Sequence, residues 1–113
     1  MKLTLDVENT VTERDGKLHF DPFEPGNSLT MVGVLTDQGM EQHFPFDHSD
    51  VPNQQDYYER VQWYLDEATV LICHNAAHDL LWLWESGFKY DGPVFDTMLA
   101  EYVLQRGIKK PLS

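Results

Sequence analysis

Two acidic side chains near the N-terminus are the first residues whose types and spacing could do chemistry. Asp6 and Glu8 lie in the segment KLTLDVEN, where Leu3, Leu5 and Val7 alternate with polar residues. That alternation predicts a half-buried β-strand with both carboxylates on its polar face, their α-carbons roughly 6.5 Å apart. Two ionised carboxylates that close repel each other unless a cation lies between them. A solvent-exposed strand face and a divalent-metal site are therefore the two interpretations.

A second pair of polar residues follows the apolar run TVLICHN, which predicts a strand covered on both faces. Asn75 and Asp79 are one helical turn apart at the start of the predicted helix AAHDLLWLWESG, so both project from one helix face. The apolar stripe of this helix is predicted to consist of Ala77, Leu80, Leu81 and Trp84. Asp79 lies outside that stripe, so packing does not require an aspartate there. Because ligands collect at strand ends in α/β sheets, we expect the two acidic pairs to meet in one cleft.

Three carboxylates around a cleft, those of Asp6, Glu8 and Asp79, suit hard cations such as Mg²⁺ or Mn²⁺. Two such ions about 3.5–4 Å apart could activate water and stabilise both the attacking and the leaving oxygen at a phosphodiester, with Asp6 as the bridging ligand. Acid pairs are common in a chain with 19 Asp and Glu residues, however. The spacing alone therefore leaves the metal site and the solvated surface both open.

The bulk composition indicates one small globular domain of 113 residues with 42% hydrophobic residues. A formal net charge of −11 has the wrong sign for gripping nucleic acid by charge alone, but it is compatible with a nuclease that meets phosphate through bound cations. The sequence has no membrane-span-length apolar run and no signal-peptide pattern. With a single cysteine, Cys73, it cannot form an internal disulfide, which favours a cytoplasmic setting, or the host cell cytoplasm if the protein is viral.

The predicted element order is β, β, β, α, β, α, β, α, which favours a mixed sheet covered by helices. Asp15-Gly16 is expected to form a tight turn, and the second and third strands, SLTMVGVLTD and MEQHFPF, flank a turn at residues 37–39. The first helix, QQDYYERVQWYLDEA, is expected to be entered at residues 50–53. Its apolar face is predicted to contain Tyr57, Val61, Tyr64 and Leu65.

The C-terminal part predicts a short strand, GPVFD, and then a helix, TMLAEYVLQRG, with Asp96 as its N-cap. Leu99, Tyr102 and Val103 are expected to face inward before Gly107 ends this helix. IKKPLS then stops without a terminal element, so the domain is expected to be incomplete at its C-terminus.

Three segments resemble the 3′–5′ exonucleases with a ribonuclease H-like fold. LTLDVENT resembles their first motif, LICHNAAHDLLWL resembles the second, and FDTMLAEYVL resembles the segment that follows in proofreading domains of family A DNA polymerases. The early start of the first strand is similar to the phage-type members. The resemblance implies an α/β fold with a ribonuclease H-like mixed sheet flanked by helices, residues 1–113 being a partial exonuclease domain.

The resemblance implies roles for five residues. Asp6 and Glu8 match metal ligands, Asp79 matches a ligand of the second metal, Asn75 matches an asparagine that orients the site or substrate, and His78 stands where the family has an aromatic residue. The implied cofactors are two Mg²⁺ or Mn²⁺ ions. The implied partners are a single-stranded DNA 3′ end and a polymerase domain in the full-length chain, with no membrane.

The third family motif, a tyrosine or histidine four positions before an aspartate, is absent. Tyr102 does not fit it, since position 106 is Arg106. The expectation is a weak or inactive site in this chain. Two other functions stay open: a non-catalytic acidic domain that docks onto a basic partner, and a stand-alone exonuclease that acts on RNA.

Two neighbours of Asp79 have two interpretations. Trp82 and Leu83 could line the cleft and stack a base, or they could pack under further C-terminal helices, which is the favoured expectation. Cys73 is interpreted as a small core residue at a strand end and not as a zinc ligand.

Overall fold

The computed structural model describes residues 1–46 and 54–100 as an α/β fold around a five-stranded mixed sheet. The elements are β1 (Lys2–Asn9), β2 (Thr12–Arg14), β3 (Lys17–His19), β4 (Leu29–Thr36), β5 (Glu41–Pro45), α1 (Gln54–Glu67), β6 (Val70–Cys73), α2 (Ala76–Glu85) and β7 (Val94–Asp96). Residues 97–100 are helical. This confirms the coarse prediction of a mixed sheet with helices.

In the described ranges, no helix combines the length and the apolar character that a bilayer crossing needs.

The sheet has the order β5-β4-β1-β6-β7, so β1 is its central strand. β1 runs antiparallel to β4 and parallel to β6, and β6 runs parallel to β7. The pairing of β1 with β6 covers only residues 2–4 of β1, so the second half of β1 extends beyond the end of β6. Helix α2 starts at this exit and packs on β1, β6 and β7.

The alternation predicted for β1 is confirmed. Leu3, Leu5 and Val7 are buried in the core, and Asp6 and Glu8 are exposed on the opposite face. Full burial of an aliphatic side chain stabilises a fold by about 1.5–3 kcal/mol, so this strand is held firmly in register. A one-residue slip would put its carboxylates into the core.

Helix α1 covers the same sheet face and confirms the apolar stripe expected for it. Val61, Tyr64 and Leu65 are buried, and Tyr57 packs against the core cluster. The predicted helix entry at residues 50–53 lies outside the described residues.

Two burial predictions for the C-terminal half are wrong among the described residues. β6 is covered on one face only, because Leu71 and Cys73 are buried whereas Val70 and Ile72 are half-buried. Leu99 was expected to face inward, yet its side chain is 60% exposed. Helices α1 and α2 contribute Val61 and Leu83 to one core cluster with Leu3 of β1, whereas the opposite face of β1 is exposed. Tyr102, Val103, Arg106 and Gly107 lie outside the described ranges.

The hairpin β2–β3 is an element that the sequence analysis missed. Its strands are three residues long and mostly polar, so they have no hydrophobic alternation. The expected turn is confirmed, with Asp15 at φ 56° and Gly16 at φ 76°, the left-handed pair of a two-residue hairpin turn. The adjoining Glu24 is buried and forms ion pairs with Arg14 at 3.1 Å and His19 at 3.8 Å.

Candidate functional site

The face of helix α2 that packs on the sheet differs from the predicted one. Its buried residues are Ala76, Asp79, Trp82 and Leu83. The stripe expected from hydrophobicity is wrong at its two ends, since Ala77 is exposed and Trp84 is 53% exposed. Leu80 does pack against the core cluster, and Leu81 is half-buried. The buried face has polar partners for its polar groups: the Trp82 indole N–H donates to the Phe20 carbonyl at 3.0 Å, and the Val7 backbone N–H lies close enough to the Asp79 carboxyl to lower its pKa.

Both interpretations of Trp82 and Leu83 are replaced by a third. Trp82 is 3% exposed and Leu83 is fully buried, and both belong to the core cluster between α2 and the sheet. They neither line a cleft nor need further helices to cover them.

The Asp79 carboxyl has the strongest electrostatic perturbation of any described acid. It is 4% exposed, and its pKa is raised from 3.8 to about 7. Burial is the largest cause, and the negative charge of Asp6 is the second, with a smaller contribution from Asp96. Hydrogen bonds from the Val7 N–H and the Cys73 thiol act in the opposite direction. The carboxyl is therefore half-ionised near neutral pH.

The Cys73 thiol supports Asp79 and is not itself reactive. It is 1% exposed, and burial, followed by the charges of Asp79 and Asp96, raises its pKa to about 12. The thiol is protonated at neutral pH, because ionising it beside these carboxylates is unfavourable. This confirms the interpretation of Cys73 as a small core residue at a strand end.

Asp6 and Glu8 line a groove of about 210 Å³ on the open face of the sheet. The register places Asp6 opposite Gly33, which in turn lies opposite His43. A Cβ at Gly33 would lie 3.3 Å from the His43 Nδ1, so the glycine allows the imidazole to lie low across the strand beside Asp6. Among the described residues, no Lys, Arg or His forms an ion pair with Asp6, Glu8 or Asp79.

Asp96 confirms its predicted role as an N-cap and has a second contact. Its Oδ1 accepts hydrogen bonds from the backbone N–H groups of Met98 at 2.9 Å and Leu99 at 3.3 Å. Its Oδ2 accepts from the Ala76 N–H at 3.0 Å, at the start of α2. These bonds, that of Ala76 first, lower the pKa of Asp96, so its carboxylate is ionised at neutral pH.

The two predicted substrate-binding residues differ in their availability. Asn75 is exposed at the N-cap position of α2, and its side chain makes no capping hydrogen bond. The His78 Nε2 lies 2.9 Å from the Asn9 Oδ1, and the Asn9 amide donates to the Phe20 carbonyl at 3.1 Å. His78 thus links α2 to the end of β1, whereas Asn75 is free to contact a ligand.

The negative charge of Asp6 raises the pKa of Asp79. Glu8 lines the groove together with Asp6, but Asp79 is not among the residues that line it, so the expected single cleft with all three carboxylates is not formed in the described residues. Within residues 1–46 and 54–100, no set of three or more His, Cys, Asp or Glu side chains is arranged to hold one ion. The donor chemistry nevertheless fits a hard divalent cation, because the acids are carboxylates and the buried one has no cationic partner in the described ranges. The metal site therefore remains a prediction.

A larger groove, of about 480 Å³, lies between the C-terminal ends of α1 and α2. It is lined by Leu65, Asp66, Trp84, Phe88 and Tyr90, among others. The sequence analysis missed this groove, since Trp84 was assigned to the core. It does not contain the Asp6 and Asp79 pair, and the chemistry argued above lies at the other end of α2.

No known family model matches this chain, and no curated protein matches it.

Proposed function

We propose that this chain is a partial metal-dependent 3′–5′ exonuclease module of a DNA polymerase, which hydrolyses phosphodiester bonds at single-stranded DNA 3′ ends. The observation that carries the proposal is the buried Asp79 carboxyl, which lies near Asp6 and has no cationic partner among the described residues. An acid whose pKa is strongly raised by burial and by a nearby negative charge is a candidate functional group. The central position of β1, between an antiparallel and a parallel neighbour, supports the finer assignment to a ribonuclease H-like fold.

The proposed roles follow from where each side chain lies. Asp6, on the exposed face of β1, and Asp79, at the start of α2, would hold the cation from two elements. Glu8 lies on the same strand face as Asp6 and would add a third carboxylate from that side. Asn75, exposed at the N-cap of α2, contacts the substrate. A bound Mg²⁺ or Mn²⁺ supplies charge for the developing oxyanion and lowers the pKa of water.

The negative charge of the chain implies that the cation binds before the DNA. Its net charge of −11, and the acids of the site that have no ion-pair partner among the described residues, repel a phosphodiester. Cation binding has to come first, because it reverses the local field. Binding of single-stranded DNA to this chain should therefore depend on the divalent metal and should be lost with a chelator.

The test is digestion of a 5′-labelled single-stranded DNA in Mn²⁺, with an RNA oligomer of the same sequence alongside. We expect a weak ladder that recedes from the 3′ end of the DNA and is lost in Asp6→Ala. Glu85→Gln is the matched control, since it removes one charge from an exposed position of α2.

Three results would contradict the proposal. An equal ladder from Asp6→Ala would assign the activity to a contaminant. Preferential digestion of the RNA would favour the stand-alone RNA exonuclease. Metal-independent, salt-sensitive binding to a cationic protein, with no Mn²⁺ binding, would favour an acidic interaction domain.

A further inference from the structure

The start of helix α2 has no cap of its own. Asn75 occupies the N-cap position, but its side chain makes no capping hydrogen bond. An N-terminal turn leaves several backbone N–H groups without intrahelical partners. For the Ala76 N–H, the acceptor is the Oδ2 of Asp96, a residue at the end of β7 that is 20 positions away along the chain.

Asp96 uses both carboxylate oxygens, one for each of two helices. Its Oδ1 accepts from the N–H groups of Met98 and Leu99 and so caps the helical residues 97–100. Its Oδ2 holds the first residue of α2. An ordinary N-cap needs only the first of these functions, which serine or asparagine performs about as well. The second function requires a second acceptor oxygen.

A second hydrogen-bonded link reinforces the same junction. The Thr97 hydroxyl donates to the Cys73 carbonyl at 3.2 Å, and the His74 Nδ1 lies 2.9 Å from that hydroxyl. The ends of β6 and β7 and the start of α2 are thus tied together on the side of the sheet where Asp79 lies.

Holding Ala76 determines where Asp79 lies. The two residues are three positions apart on the buried face of α2, and the Asp79 N–H donates to the Asn75 carbonyl at 3.0 Å in the first helical turn. A helix start that shifted or frayed would move the Asp79 carboxylate away from the Val7 N–H and from Asp6.

We infer that Asp96 is a positioning residue of the proposed metal site: by fixing the start of α2 through Ala76, it holds the Asp79 carboxylate beside Asp6. The inference rests on the proposed function. Asp96 does not bind the cation in this account, and its effect is transmitted through the helix backbone.

The test uses Asp96→Asn and Asp96→Ser, which keep an N-cap side chain for residues 97–100 but lack the second acceptor oxygen. Asp91→Asn is the control, because it removes one negative charge from an exposed position outside the cluster. Two quantities are measured in the 113-residue chain: the Mn²⁺ dissociation constant, by electron paramagnetic resonance, and the Val7 and Ala76 amide resonances of the metal-free protein. Thermal unfolding and the dispersion of the amide spectrum show whether each variant is folded.

We expect both Asp96 variants to weaken Mn²⁺ binding by about ten- to a hundred-fold, the usual effect of removing a group that supports a ligand. The Val7 and Ala76 resonances should shift in the metal-free protein, and Asp91→Asn should leave both quantities unchanged. An N-cap without a positioning role would not move the Val7 resonance.

Unchanged Val7 and Ala76 resonances in folded Asp96 variants would overturn the inference, whatever the metal affinity. If the parent chain binds no Mn²⁺, the proposed function fails, and the two resonances still decide whether Asp96 positions Asp79. If Asp96→Asn does not fold, Asp96→Ser gives the same comparison. If neither folds, Asp96 is required for the fold as a whole, which overturns a role confined to positioning.

Discussion

Two carboxylates are buried among the described residues, and their surroundings are opposite. Glu24, 8% exposed beside the β2–β3 hairpin, has Arg14 at 3.1 Å and His19 at 3.8 Å. Asp79, 4% exposed under the start of α2, has no described cation and is near Asp6 and Asp96 instead. The fold thus provides an internal counter-charge for one buried acid and additional negative charge for the other.

This difference indicates that Glu24 is the acid with a structural role. A buried carboxylate that is paired within its own segment stabilises that segment. One that is surrounded by like charges has to take up a proton or a cation from solution. At the Asp79 site, protonation and divalent-metal binding are alternatives, so pH and metal concentration should both act on this site.

The largest expected effect comes from Asp79→Asn in the metal-free chain. The pKa of Asp79 is raised in the folded state, so folding favours its protonated form. This contribution is fully present below about pH 4 and is lost as pH rises to about 7. At about 1.4 kcal/mol per pH unit, the interval from 3.8 to about 7 corresponds to a loss of up to about 4 kcal/mol. Asp79→Asn should therefore be more stable than the parent chain at pH 8 and equally stable at pH 4, as measured by urea unfolding.

Glu85→Gln is the control for this comparison, because it makes the same change in charge at an exposed position of the same helix. The difference between the parent and Asp79→Asn should grow between pH 4 and pH 7. Parallel curves for these two proteins would contradict the account of Asp79.

Glu24→Gln should lower the free energy of unfolding, whereas Asp79→Asn should raise it at pH 8, and the change should be smaller. It removes the partner of Arg14, whose side chain is 58% exposed and is rehydrated easily, so the expected loss of stability is about 1 kcal/mol. Glu13→Gln, at an exposed position of β2, is the matched control. If Glu24→Gln stabilised the chain at pH 8 as Asp79→Asn does, the contrast between the two buried acids would be wrong.

The smallest effect is expected at an exposed acid–base pair. Glu41 Oε1 lies 2.9 Å from His43 Nε2, but both side chains are more than half exposed. Glu41→Gln should change the unfolding free energy by less than about 0.5 kcal/mol in the same urea assay. A loss of stability as large as that of Glu24→Gln would show that burial does not determine how much each carboxylate contributes to stability.

Much of the sheet could be predicted from the sequence, because burial on one face leaves a period-two pattern in strands such as β1. The hairpin β2–β3 could not be predicted in this way, because its short strands are stabilised by a turn and by polar contacts of Asn27. Asn27 donates to the carbonyls of His19 and Asp21 and accepts from the Thr12 hydroxyl, contacts that leave no hydrophobic signal.

The buried face of α2 was mispredicted because it contains a charged residue, Asp79. A hydrophobic stripe cannot point to a buried aspartate, so Leu80 and Trp84 were favoured over Asp79. The available signal was the four-residue spacing of Asn75 and Asp79, which was interpreted as functional but placed outside the face that packs on the sheet. The double contact of Asp96 had no signal at all, since Ala76 contributes only a backbone N–H.

The most direct test of the account is the titration of the Asp79 carboxyl itself. It can be followed through its side-chain carbon resonance, assigned by comparison with Asp79→Asn, with and without Mg²⁺. We expect a midpoint near pH 7 in the metal-free chain and a lower midpoint when Mg²⁺ is present, because the cation competes with the proton. A midpoint near the ordinary value of 3.8, unchanged by Mg²⁺, would contradict the claim that this acid is buried without a cationic partner among the described residues and is available to a divalent cation.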